Sequence, residues 1–174
     1  WKGRKHGFYK WYEIQDAIDY YKEFEKPKII YPNICKKPEF TFDETNLYTN
    51  QKCFIIPTSD KYLLGILNSS VSFFLFRSIL PKLRGNFYEP SYVYFKDFPI
   101  RTIDFKNHKE KAVHDKLVSF VDRMLDLHKK KNSLPLSAER EKVEREIAVT
   151  DEKIDDIVYG LYGITEEERK LIEG

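Results

Sequence analysis

Cysteine, methionine and tryptophan are scarce in this 174-residue sequence, which holds 2, 1 and 2 of them. Cys35 and Cys53 show no CxxC spacing and no adjacent histidine. That excludes the common zinc patterns and leaves two reduced thiols as the expectation, with a disulfide between them open. Glycine is sparse too, at 7 residues. No GxGxxG or GxxxxGK[ST] loop occurs, which removes dinucleotide-binding and P-loop chemistry. His6, His108, His114 and His128 are scattered with no cysteine or acidic pair at ligand spacing, so they read as boundary residues and no metal is expected. Asp151-Glu152-Lys153 has the residue types of a magnesium nuclease, but it falls in a helical pattern among other solvated charges. No uncharged apolar run reaches membrane-spanning length; Val71 to Phe76 is far too short. The start, Trp1-Lys2-Gly3-Arg4-Lys5, leads into no signal-peptide core. The expectation is a cytoplasmic chain with no membrane contact, not catalytic by itself. Beginning at Trp1 rather than methionine, it reads as a piece of a longer protein.

What is abundant is aromatic. Phe numbers 13 and Tyr 12, and the hydrophobic share of 41% is enough for a real core. Such residues favour strands and buried sheet faces. Net charge is only +2, yet it is uneven: residues 1–110 hold 18 Lys and Arg against 13 Asp and Glu, whereas residues 111–174 hold 12 against 15. A mildly basic first part suits a polyanion-binding surface. Residues Trp1 to Lys10 interleave cations with Phe8 and Tyr9, a mixture suited to phosphate contact and base stacking.

The stretch from Tyr62 to Tyr88 organises the rest. Leu63, Leu64, Ile66, Leu67, Val71, Phe74 and Leu75 recur at three- and four-residue steps, and Phe73 and Phe76 widen the apolar face until it nearly encircles the helix. A helix apolar all round belongs in the middle of a domain. Pro81 ends it, and the polar, basic loop Lys82 to Tyr88 leaves the core. Around this helix, strands are predicted at Trp11 to Ile14, Lys28 to Tyr31, Phe40 to Phe42, Cys53 to Ile56 and Tyr92 to Phe95, with a short helix or loop over Asp16 to Glu25. After Asn107 the pattern changes. Val113, Leu117, Phe120, Val121, Met124 and Leu127 make one helical stripe, closed by Lys129-Lys130-Lys131. A second helix starts at Ser137 and carries Val143, Ile147, Ile154, Ile157 or Val158, and Leu161 at heptad-like steps, punctuated by Gly160 and Gly163. Thr165 with Glu168 is a capping-box signature for a last short helix. The fold class is α+β: a small, largely antiparallel sheet packed on a central buried helix, then an αα-hairpin, divided as residues 1–107 and 108–174.

The series Tyr62-Leu63-Leu64-Gly65-Ile66-Leu67-Asn68-Ser69, then Pro81-Lys82-Leu83-Arg84-Gly85-Asn86-Phe87-Tyr88, then Phe98-Pro99-Ile100, resembles the TaqI-like C-terminal specificity domain. Glu25 to Tyr31 is similar to its opening strand, Trp11 to Gln15 to a segment just upstream, and Phe40 to Ile56 to its middle strands. The run from Thr150-Asp151 through Ile154-Asp155 to Val158-Tyr159-Gly160-Leu161-Tyr162-Gly163 looks like the tail often found behind it. The resemblance implies the target-recognition part of an adenine-specific DNA methyltransferase, or of a restriction–modification enzyme in which it is fused to an endonuclease. It implies S-adenosylmethionine as cofactor of the parent and none in this chain. The Gly-rich loop and the Asn/Asp-Pro-Pro-aromatic motif of that chemistry are missing; Glu89-Pro90-Ser91-Tyr92 lacks the second proline and reads as a turn.

The implied partners are double-stranded DNA and an upstream methyltransferase domain of the same parent chain. From residue type and loop position, Lys36, Lys37, Lys82 and Arg84 are candidates for phosphate or guanine contact, and Asn86 for an adenine edge. Tyr88 either supports the loop or contacts the backbone. A reading from another class is a protein-interaction or spacer module using the helical hairpin, self-associating through Val143 to Leu161, although packing within the chain is the favoured use of that stripe.

Overall fold

The structure is a computed structural model describing residues 6–13 and 19–174. After a 3₁₀ helix at Asp19–Glu25, three strands, β1 (Lys28–Pro32), β2 (Thr41–Asp43) and β3 (Cys53–Ile56), form an antiparallel sheet in the order β2-β1-β3. The strand β1 is central, and its apolar run Ile29-Ile30-Tyr31 is buried along its whole length. Its first residue is a lysine with no exposed surface. A buried charge survives only when paired. The register sets Lys28 opposite Asp43, and Lys28 Nζ donates to Asp43 Oδ2 and to the Phe24 carbonyl at 2.7 Å. Asp43 also accepts from Thr45 N (3.0 Å), Thr45 Oγ1 (2.7 Å) and Leu47 N (3.0 Å). Burial pushes the Asp43 carboxyl up, but these bonds outweigh it and hold the group well below the usual carboxylate range.

The central helix is two helices, α1 (Lys61–Asn68) and α2 (Ser70–Ile79), bent by 63° at Ser69. The bend has specific causes. Asn68 turns back to the sheet edge, accepting from Phe40 N and donating to Phe40 O, both at 3.0 Å. Ser69 caps α2 by accepting from Ser72 N. Gly65 lets α1 meet the long helix α4 (His108–Ser133) closely: a Cβ there would lie 2.8 Å from Val121 Cγ2 and 3.1 Å from Leu117 Cδ1.

Beyond α2 come the two-residue strands β4 (Lys82–Leu83) and β5 (Phe87–Tyr88), then α3 (Tyr92–Phe95). The expected strand at Tyr92 to Phe95 is therefore a helical turn. Phe95 dips into a cluster with Tyr31, Phe40, Phe76 and Phe98, at centroid distances of 5.7, 5.7, 6.0 and 5.0 Å, while Tyr92, Val93 and Tyr94 stay exposed. One contact on four residues suits a turn of helix better than strand alternation. The predicted strand at Trp11 is also replaced: Trp11–Glu13 is a turn closed by Glu13 N on Lys10 O at 3.0 Å. Ile14, with Gln15 and Asp16, lies outside the described residues.

The hairpin of α4 and α5 (Ala138–Tyr162) forms as its stripes predict, with Ser137 as N-cap and Gly163 as a left-handed C-cap at φ 66°. The final helix α6 (Glu166–Glu173) starts with the complete Thr165–Glu168 capping box. The stripe is used inside the molecule: Leu117, Val121, Ile154 and Val158 share one core with Ile29, Ile66 and Phe76. Asp155 of α5 accepts from Ser70 N (2.8 Å) and Ser70 Oγ (2.6 Å), capping α2 from the far side.

Two outcomes test this account. Asp43→Asn leaves Lys28 buried against a neutral partner and is expected to cost about 3 kcal/mol at neutral pH. Because the folded carboxyl is depressed, its stabilisation is complete above the unfolded value near 4 and is lost as pH falls below it. Urea midpoints should therefore decline from about pH 5 to about pH 2 in the wild type and much less steeply in the variant. Gly65→Val forces α1 away from α4 and is expected to cost roughly 1–3 kcal/mol in the same assay.

Candidate nucleic-acid interface

The antiparallel order of the sheet decides which loops meet. The strand β1 ends at Pro32, while β2 begins at Thr41 and β3 at Cys53. Residues 33–40 and the turn before β3 therefore sit at the same end of the sheet. Asn33 fastens them: its N–H donates to Lys52 O at 2.9 Å and its Nδ2 to Gln51 O at 3.2 Å. Two residues on, Cys35 and Tyr88 exchange backbone bonds of 3.1 and 2.7 Å. This attaches the β4–β5 hairpin to the same end.

The hairpin pairs Lys82 with Tyr88 and Leu83 with Phe87. Its tip is Arg84-Gly85-Asn86, with Gly85 at φ 84° and Asn86 at φ 61°. Asparagine is one of the few side-chain-bearing residues that accept such a backbone readily. Asn86 thus shapes the tip, and it remains exposed, as do Lys82 and Arg84. Tyr88 is 6% exposed, with Phe73 edge-on at 6.4 Å. It is an anchor in the core and not a surface group. Lys36 lies over the Phe87 ring, 5.0 Å from its centroid, so it belongs to the hairpin's flank.

Lys37 points elsewhere. It lines a cavity of about 640 Å³ between the sheet, the bent helices and the hairpin of α4 and α5, facing His128, Asn132 and Asp151. Burial and neighbouring Asp155 push the Asp151 carboxyl up, and Lys37 and His128 pull it back. Burial lowers His128, and Lys131 adds to this. Sequence reading grouped Lys37 with Lys36; the chain bends at both residues, and the two side chains part.

Among the described residues, Lys36, Lys52, Lys82 and Arg84 form no ion pair with a carboxylate. The basic end is thus an unneutralised cluster, with Glu39 the acidic residue among the loop residues 33–40. The turn contributing Lys52 was missed at the level of sequence, since its place here depends on the pairing of β1 with β3 and on the long-range bonds to Asn33. No group of three His, Cys, Asp or Glu among the described residues is placed to hold a metal. The glycines at positive φ cap α5 and turn the hairpin tip, and neither opens a strand-to-helix loop.

A family model for the TaqI-like C-terminal specificity domain matches residues 2–100. No curated protein matches the chain. The matched span holds every loop of the basic end and stops before α4. The chain belongs to the family of TaqI-like C-terminal specificity domains, target-recognition modules of DNA methyltransferases.

Proposed function

We propose that this chain binds duplex DNA through the basic end of its sheet, reads a short sequence there, and presents the duplex to a methyltransferase domain of the same parent protein. The observation that carries this reading is the convergence of three separate loops, each bringing unpaired cations, on one end of the sheet. Unpaired lysines on a surface release counterions when they meet phosphates, which supplies sequence-independent affinity. The narrow β4–β5 ribbon is the kind of element that enters a major groove. Arg84 at its tip suits the O6 and N7 of a guanine, and the Asn86 carboxamide suits an adenine edge. Lys82 and Lys36 flank the ribbon and suit backbone phosphates. Tyr88 holds the ribbon's base in the core, so the tip is presented on a fixed support. The methyl donor and catalytic residues belong, in this reading, to the partner domain.

The alternative use of the helical hairpin as an adhesive module is less favoured. Val143, Ile154 and Val158, the centre of the stripe it would need, are 2%, 5% and 0% exposed within the single chain.

Arg84→Ala is expected to weaken duplex binding by about tenfold and to flatten the preference among sequences. Lys82→Ala should weaken all duplexes alike and lower the slope of log affinity against log salt by about one. Fluorescence anisotropy over a salt series checks both. Unchanged affinity and slope in the two variants would remove the hairpin from the interface.

A further inference from the structure

The basic end holds a second tip that no sequence motif marks, the turn Asn50-Gln51-Lys52. We infer that Gln51 reads the major-groove edge of an adenine beside the base pairs contacted by the β4–β5 hairpin, with Lys52 on a neighbouring phosphate. This rests on the DNA-binding reading above.

Four side-chain amides occupy this end of the sheet, and the structure accounts for three of them. The Asn33 Nδ2 group donates to Gln51 O at 3.2 Å. The Asn50 side chain accepts from Lys52 N at 2.9 Å, building the turn. Asn86 occupies a left-handed position at φ 61° in the hairpin tip, which by itself explains an asparagine there. Gln51 differs. It is exposed, and among the described residues its carboxamide takes part in no hydrogen bond, only its backbone carbonyl being engaged. A glutamine carboxamide, one donor and one acceptor on a planar group, matches the N6 and N7 of adenine.

The turn is also held firmly, which a reading element needs. Cys53 N closes it on Asn50 O at 3.1 Å, and Asn33 grips it by both its backbone and side-chain nitrogens. Placement follows from the bonded path. Lys52 pairs with Asn33, and Cys35, two residues along, pairs with Tyr88. Paired strands lie about 5 Å apart and two residues span at most about 7 Å. The backbone at Lys52 is therefore within roughly 17 Å of the hairpin base. Gln51 lies one residue beyond Lys52 and Asn86 two residues beyond Tyr88, which adds at most about 11 Å, so the two tips lie within roughly 28 Å, about eight base steps of 3.4 Å, and fit one site.

The test is selection from a random duplex pool followed by sequencing, using the whole chain as wild type, Gln51→Ala, Gln51→Glu, Lys52→Ala and Arg84→Ala. The wild type is expected to enrich a motif. Gln51→Ala should lose about tenfold or more of its preference at a single A·T position, with its salt slope unchanged. Gln51→Glu should move that position toward C·G, because a carboxylate accepts from cytosine N4. Lys52→Ala should keep the motif and lose about one unit of salt slope. Arg84→Ala should alter a different position. If both Gln51 variants return the wild-type motif, Gln51 is not a reader, while DNA binding by the hairpin stands. Salt-dependent binding by the wild type with no enriched motif overturns base reading and leaves phosphate contact. No binding at low salt overturns this inference and the DNA-binding reading together.

Discussion

The bend at Asn68-Ser69-Ser70 is the constraint on which the other contacts depend. A straight continuation of α1 would leave Phe40 with an unpaired N–H and C=O at the sheet edge, and a buried polar group without a partner costs about 1–3 kcal/mol. By ending α1 at Asn68, the chain lends a carboxamide that bonds Phe40 as a neighbouring strand would. The same break exposes the N–H groups at the start of α2, which Ser69 and Asp155 satisfy from opposite sides. One interruption thus closes a sheet edge, reorients a helix and fastens the C-terminal hairpin.

The two ends of the sheet have opposite duties. At one, Lys28 and Asp43 neutralise each other in the interior, and Asp43 gathers the loop Asp43–Leu47 around itself. At the other, cations stay exposed and unpaired, and backbone bonds from Asn33 and Cys35 keep their loops in place. Charge that serves folding is paired and buried, and charge available for a partner is held by groups other than itself.

Legibility in the sequence followed the range of the interaction. The helices α4, α5 and α6 were readable because stripes, Ser137, Gly163 and the Thr165–Glu168 box act over a few residues. The bend was not, because Asn68-Ser69-Ser70 interrupts an apolar pattern whose period stays helical on both sides. Tyr92 to Phe95 has the composition of a strand, and its helical turn comes from a distant aromatic cluster that takes only Phe95. The same division runs through the interface. Lys82, Arg84 and Asn86 stood out as a basic, glycine-bearing loop. Tyr88 was visible as a candidate but its burial was not, since that depends on Phe73 and on pairing with Cys35. Gln51 and Lys52 became visible only through the pairing of β3 with β1 and the bonds to Asn33.

The cap that Asp155 places on α2 bears on where such a domain can be cut and rejoined. The family signature ends at residue 100, yet Leu117, Val121, Ile154 and Val158 complete the core beneath it. Tyr62 and Tyr162 hold the connecting segment by donating to the carbonyls of Arg101 and Pro99, each at 2.7 Å. A recombination junction placed at the end of the signature would graft a sheet with an open underside and an uncapped helix. The structural unit is therefore longer than its signature: a chimera that transplants the sheet and its loops has to carry the helical tail along with them.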